Sequence, residues 1–283
     1  MSAMFAFKLT LVPFFILALS LAGRRWGTAV SGWLVALPVV AGPIVFFIGL
    51  EQGEAFAAGA ARATIAGLAS LAVYGLVYSR VALRAGWAPS LLAGWAGFFL
   101  STYLLNRLPL TLPQSIALAL SSLVGVYLLL PPVVPEASPP ETPSWEIAAR
   151  MAAAVGMVLL MTALARPLGP HLAGLLVPFP VAATVLAVFT HHYQGGVSAI
   201  LLLRGLVAGL WTMGIFFLIV AGTVERLGVG ASFALAVAAD LACNGGSLWV
   251  LRRFRGTGHG GICSGGHSSP DPPTDQECPP RQE

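Results

Sequence analysis

The sequence predicts an all-α integral membrane protein of about nine transmembrane helices in two inverted repeats, five helices followed by four. Composition carries the first part. Of 283 residues, 57% are apolar and 9% charged, with a mean hydropathy of +0.84, whereas charged residues approach a quarter of a soluble domain. A gapless internal repeat at an offset of 142 carries the second part. Arg24, Gly27, Gly32, Leu34, Val35, Pro38 and Val39 recur as Arg166, Gly169, Gly174, Leu176, Val177, Pro180 and Val181. Phe47, Gln52, Gly53, Ala57, Arg62 and Gly67 recur as Phe189, Gln194, Gly195, Ala199, Arg204 and Gly209. Shared Ala or Val means little in so apolar a chain, but shared Arg, Gln and Pro at one offset are not a product of composition. Duplicated membrane units are a sequence mark of secondary transporters.

Apolar stretches fall near 4–23, 30–50, 55–79, 86–105 and 111–131, then 146–165, 172–190, 196–222 and 228–251. Each approaches the roughly 20 residues that a bilayer core requires. The first stretch has Lys8 ahead of an apolar run, so a signal peptide is the alternative. Arg24 and Arg25 directly after it disfavour export and cleavage, and its counterpart at 146–165 sits mid-chain. It is therefore read as a membrane helix.

Residues 1–132 form the first repeat and 146–255 the second. Between them, 133–145 is a Pro-rich connector, since the run PPVVPEASPPETP removes helix donors and keeps the chain extended. Residues 256–283 are Gly-, Ser- and Pro-rich and too polar to bury a core, which predicts a disordered tail.

Five crossings before the second copy make it enter the bilayer from the other side. With the N-terminus outside, Arg24, Arg25, Arg80, Arg84, Arg150, Arg252, Arg253 and Arg255 fall in the cytoplasm, against Lys8, Arg107, Arg166 and Arg226 outside. This bias favours an outside N-terminus and a cytoplasmic C-terminus.

The second helix of each unit carries the candidate site. It reads Leu37-Pro38-Val39-Val40-Ala41-Gly42-Pro43 in one copy and Val177-Pro178-Phe179-Pro180-Val181-Ala182-Ala183-Thr184 in the other. Paired prolines remove backbone hydrogen bonds at membrane depth, where only protein or a wet cavity replaces them. Interrupted helices at matching positions point to a transporter's binding site; the competing view is a simple kink in a packed helix. Arg62 and Arg204, about two turns into the third helix of each unit, are candidate anion or carboxylate clamps, or, in the first copy, a partner of Glu51 and Glu54; the second copy has no acid in the equivalent turn. Equally, they snorkel to the interface.

His191 and His192 are candidates for proton coupling, although adjacent histidines diverge by about 100° on a helix and bind one metal poorly together. An interfacial turn would also account for them. Asp240 lies in the last apolar run, four positions before Asn244 and on the same helix face. An intramembrane carboxylate is a functional candidate by default, the alternative being a neutral or paired structural group. Its place in the first repeat is Phe98, and that of Asn244 is Thr102.

Several classes are disfavoured. A net charge of +4 spread singly over helix ends is no nucleic-acid footprint. Cys243, Cys263 and Cys278 are too few and too scattered for a disulfide framework. His259, Cys263 and His267 lack a second ligand pair for zinc. HExxH, GxSxG and GxxxxGK[ST] motifs are absent, so no enzyme is expected, the residual candidate being an intramembrane enzyme using His191, His192 and Asp240.

The run Ala173-Gly174-Leu175-Leu176-Val177-Pro178-Phe179-Pro180, followed by His191 and Gly195, resembles the core of the GlpM-like small inner-membrane proteins. Ser31-Gly32-Trp33-Leu34-Val35-Ala36-Leu37-Pro38 matches it more loosely, with Ala36 and Leu37 in place of the Pro-Phe pair. The resemblance covers two stretches of about 45 residues and implies two four-helix units fused through a linking fifth helix, in a bacterial inner membrane. That family is linked in a general way to polysaccharide production and has no settled activity to carry over.

The function expected is transport or export of a small solute, with proton coupling through His191, His192 or Asp240. The alternative is a non-transporting scaffold for an envelope or polysaccharide pathway. The partners expected are the lipid bilayer and the solute, with no nucleic acid, no cofactor and no metal; a homo-oligomer fits the same sequence.

Overall fold

The computed structural model describes residues 3–39, 41–108, 110–135, 142–143, 145–160 and 179–256, and for 3–11, 48 and 245–256 the backbone alone. All regular structure among them is α-helical. The chain forms one compact unit, Met1–Asn244, and a second, Gly245–Glu283, whose described backbone is helical through Gly256.

Helix α1 is Ala3–Trp26, α2 Thr28–Val35, α3 Ala41–Gln52, α4 Glu54–Ala82, α5 Trp87–Leu105 and α6 Leu112–Leu129. After the extended 131–135, α7 covers 146–160. The run Val181–Gly256 is broken at Gly195 and Gly228, giving α8 (181–194), α9 (196–227) and α10 (from 229). Four segments are long and apolar enough to cross a membrane: Glu54–Ala82, Trp87–Leu105, Leu112–Leu129 and Val181–Asn244. The last has 64 residues and would reach about 96 Å as a straight rod, three times a bilayer core. The breaks at Gly195 and Gly228 turn it back.

Single glycines make the sharpest reversals. Gly27 (φ 95°), Gly53 (95°), Gly195 (84°) and Gly228 (80°) all have ψ near 165°. L-residues avoid this region because Cβ collides with the backbone. Gly53 and Gly195 are 142 positions apart, and each ends one helix and starts the next. The proline breaks also recur. After the interruption at 36–39, the Gly42 amide donates to the Pro38 carbonyl at 2.8 Å, and the Thr184 amide donates to that of Pro180 at 2.8 Å.

Helices α4 and α9 run antiparallel in contact. Gly196 abuts the carbonyl of Ala82, Gly75 faces Val207, Leu68 faces Gly214, and Glu54 faces Gly228. Contacts sort the other helix ends into the same two groups. Near the Ala82 end, Arg80 donates to the Leu129 carbonyl at 2.7 Å, His192 meets Trp87 and Arg24 reaches Glu146. Near the Glu54 end, Gly49 packs on Val229 and Ala57.

Two aromatic clusters flank the α4–α9 pair. Phe46 of α3 meets Phe233 of α10, which meets Phe216 of α9. Phe179, just before α8, meets Trp95, Phe98 and Phe99 of α5, while Thr184 of α8 stands beside Tyr74 of α4. By the 142 offset, α3 corresponds to α8, α9 to α4 and α10 to α5. Each cluster therefore joins a helix of one half to two helices of the other.

Helices α2 and α9 cross closely. A Cβ on Gly32 would strike the Leu202 carbonyl, one on Gly205 the Ala29 carbonyl, and one on Gly209 the Trp33 carbonyl at 2.5 Å. Small residues four apart let backbones approach this closely in lipid, where packing rather than the hydrophobic effect drives helix association.

Candidate functional site

One polar cavity of about 20 Å³ lies between α1, α2, α7, α8 and α9. Each of its charged residues is placed by a helix end. Arg24 closes the last turn of α1, and Glu146 and Arg150 sit one turn apart at the start of α7, a spacing that puts both on one face. Thr190 and Gln194 come from the end of α8. Arg150 donates to Glu146 Oε1 through Nε at 3.0 Å and Nη2 at 2.5 Å, and to Thr190 Oγ1 at 3.3 Å. Arg24 Nη2 donates to Glu146 Oε2 at 3.3 Å and to the Pro143 carbonyl at 3.2 Å. Glu146 and Arg150 are buried at 2% and 5% exposure, while Arg24 is 37% exposed, so this is an ion triad of net charge +1 whose Arg24 end opens to the surface. Ser20 also lines the cavity, buried at 4% with its hydroxyl unpartnered, as does Gln194, whose Oε1 makes no hydrogen bond. Buried polar groups are normally satisfied, so these two mark room for a guest.

No family model, curated protein or solved structure matches this chain. The site is therefore read from its own chemistry.

The sequence-predicted residues fall elsewhere. Pro38 and Gly42 are buried and Pro43 half-buried, with Gly42 against Phe216. Pro180 and Thr184 are buried, and Thr184 accepts a hydrogen bond from Trp95 Nε1 at 3.3 Å. Pro178, Val40, Arg166, His171 and the tail residues His259, Cys263 and His267 lie outside the described residues.

Arg62 is exposed, and the ion pairs among the described residues are Arg24–Glu146 and Glu146–Arg150, so it is not joined to Glu51 or Glu54. Arg204 places its guanidinium 5.0 Å from the Tyr127 ring centroid, a cation–π contact. Neither arginine lines the cavity.

His191 is buried with Nδ1 3.2 Å from the Tyr78 hydroxyl, while His192 is exposed and packs edge-on against Trp87. The two imidazoles thus serve different surroundings. Asp240 is 5% exposed, with the Thr212 and Asn244 side chains beside its carboxylate and Oδ1 unpartnered. Asn244 Nδ2 donates to the Asp240 carbonyl at 2.8 Å. No group of three His, Cys, Asp or Glu side chains converges as a metal site among the described residues.

Sequence reasoning missed the Arg24–Glu146–Arg150 cluster. A Glu and an Arg four apart at a helix start was the available signal, but their counterparts are Met4 and Lys8, so the repeat did not flag them. In the sequence, Arg24 stands out only as a repeat marker and a topology charge.

Proposed function

We propose that this chain is a multi-pass inner-membrane transporter or exporter of a small solute, made of two inverted repeats of five and four helices. Its N-terminus lies outside and its tail in the cytoplasm. One observation carries the reading: the exchange of contacts between the halves. Gly42 meets Phe216, and their counterparts Thr184 and Tyr74 meet in turn. This is the pattern expected when oppositely oriented copies interlock about a pseudo-two-fold axis. The antiparallel run of α4 and α9 supports it, because they are counterparts. Arg24, Arg80, Arg84 and Arg150 gather at one end, in accord with the charge rule. The resemblance to GlpM-like units fits the same two-unit plan.

In this reading Asp240, Asn244 and His191 are the coupling candidates and the Pro38–Pro43 and 178–184 segments are the moving parts. Buried carboxylates and imidazoles in membrane helices are the groups suited to change protonation during transport. Reconstituted protein should accelerate osmotic swelling of vesicles for at least one solute in a panel of small acids, bases and neutral polyols. A folded, inserted protein that accelerates none of them refutes transport.

The second reading, a membrane scaffold for an envelope pathway, is favoured by one feature. The Pro-containing segments are filled with aromatic rings, Phe216 beside Gly42 and Phe179 against α5, and do not line the polar cavity. Flux in the vesicle experiment separates the two.

A further inference from the structure

The ion triad has more donors than its single carboxylate can use. Each guanidinium carries five N–H donors, yet among the described residues Arg24 makes its hydrogen bonds through Nη2 and Arg150 through Nε and Nη2. The Ser20 hydroxyl faces the same space with no partner. Gln194 Oε1 is also unpartnered, and since amide O and N are exchanged by a half-turn about the side chain, the flipped amide offers an N–H instead. Two positive groups, one negative group and further donors around one cavity form a site for negative charge. Its volume of about 20 Å³ is that of one or two water-sized guests, which suits a halide or a carboxylate group better than a phosphate ester.

We propose that this cavity binds a small monoanion between Arg24 and Arg150, with Ser20 and Gln194 completing its shell and Glu146 as the built-in competitor. With the site empty, Glu146 pairs with both arginines and one positive charge is left over. With the anion bound, the guanidiniums divide between anion and carboxylate, and the triad becomes electrically neutral. This balances the excess positive charge beside the buried Glu146–Arg150 pair. The cavity touches α1, α2 and α7 to α9 together, and four of these meet at the Gly27 and Gly195 turns, so occupancy bears on how these helices pack. Its role as the solute site rests on the transport reading; binding itself does not.

The experiment uses the full chain in detergent and follows its thermal unfolding midpoint as gluconate is replaced, at constant ionic strength, by chloride, acetate or sulfate. Chloride, acetate or both should raise the midpoint saturably, and sulfate should not. Acetate alone identifies a carboxylate guest; chloride identifies a halide-sized one. Half-saturation should weaken about tenfold in Arg24→Gln and in Ser20→Ala, each of which removes a charged or direct donor. It should tighten in Glu146→Gln, where the competitor is gone. The Ser20 hydroxyl makes no hydrogen bond, so its alanine variant should fold even if Arg24→Gln does not. No saturable shift, or one with the same half-saturation in Ser20→Ala and every folded variant, overturns the site. Anion stabilisation without vesicle flux removes the transport reading and keeps the site; flux without anion stabilisation removes the site alone.

Discussion

Gly42 packs against the ring of Phe216, and a Cβ placed on it would stand 3.3 Å from Cζ. The residue 142 positions after Gly42 is Thr184, the one 142 positions before Phe216 is Tyr74, and these two are also neighbours. A contact repeated with its partners exchanged is what a two-fold relation between halves produces. Helix α3 of the first half rests on α9 and α10 of the second, while α8 of the second rests on α4 and the start of α8 on α5 of the first. The halves interlock, so each supplies part of the other's core.

The glycine turns at Gly53 and Gly195 rest on backbone conformation alone. Nothing lies within 4 Å of a Cβ at either site, so alanine meets no clash, only a forbidden φ. Each Gly→Ala change should cost roughly 1–3 kcal/mol, read as a lower unfolding midpoint in detergent. Gly125→Ala, in the interior of α6 with equally open space and ordinary helical backbone, should instead be neutral or stabilising by up to about 1 kcal/mol. Equal effects at all three positions would contradict the assignment of strain.

The α2–α9 crossing should be intolerant of any side chain. Gly32→Ala or Gly205→Ala drives a Cβ into a backbone carbonyl of the facing helix, which cannot rotate away. Each should destabilise by about 1–3 kcal/mol or more, while Gly59→Ala, on α4 with nothing nearby, should not. Unchanged midpoints for Gly32 and Gly205 variants would mean that the helices do not approach this closely.

The all-helical character and most helix spans were legible in the sequence because the bilayer imposes length and hydropathy on every spanning segment. The stretch 55–79 is observed as Glu54–Ala82 and 86–105 as Trp87–Leu105. The interruption after Val35 was legible because Pro38 cannot donate and Pro43 follows closely. The individual glycine reversals were not, since 32 glycines offer far more candidates than turns. Nor was the cavity, whose Arg24 and Glu146 are 122 residues apart and meet only once the halves are packed. The exposure of Arg62 was equally hidden, because sequence depth along a helix does not say which face a residue occupies.

Tyr78→Phe removes the hydroxyl that meets His191 Nδ1 while keeping the ring that fills the core. It should cost about 1 kcal/mol, more if the imidazole is left unsatisfied. A neutral substitution would show that the pair contributes no net stability and serves another purpose.

Asp240→Asn preserves size and keeps a side chain able to contact Thr212 and Asn244, but removes the carboxylate. The protein should insert and fold, and vesicle flux should fall at least about tenfold, the equivalent of 1.4 kcal/mol of lost stabilisation. Full flux in the folded variant would return Asp240 to a structural role.

The proposed inverted relation of the halves is tested most directly by membrane sidedness at corresponding positions. Leu50 and His192 are counterparts, both exposed, one near the Gly53 turn and the other near the Gly195 turn. In a background with Cys243, Cys263 and Cys278 replaced, Leu50→Cys should react with an impermeant maleimide in intact cells. His192→Cys should react only after permeabilisation. Labelling of both from the same side would place the two copies in the same orientation and contradict the account.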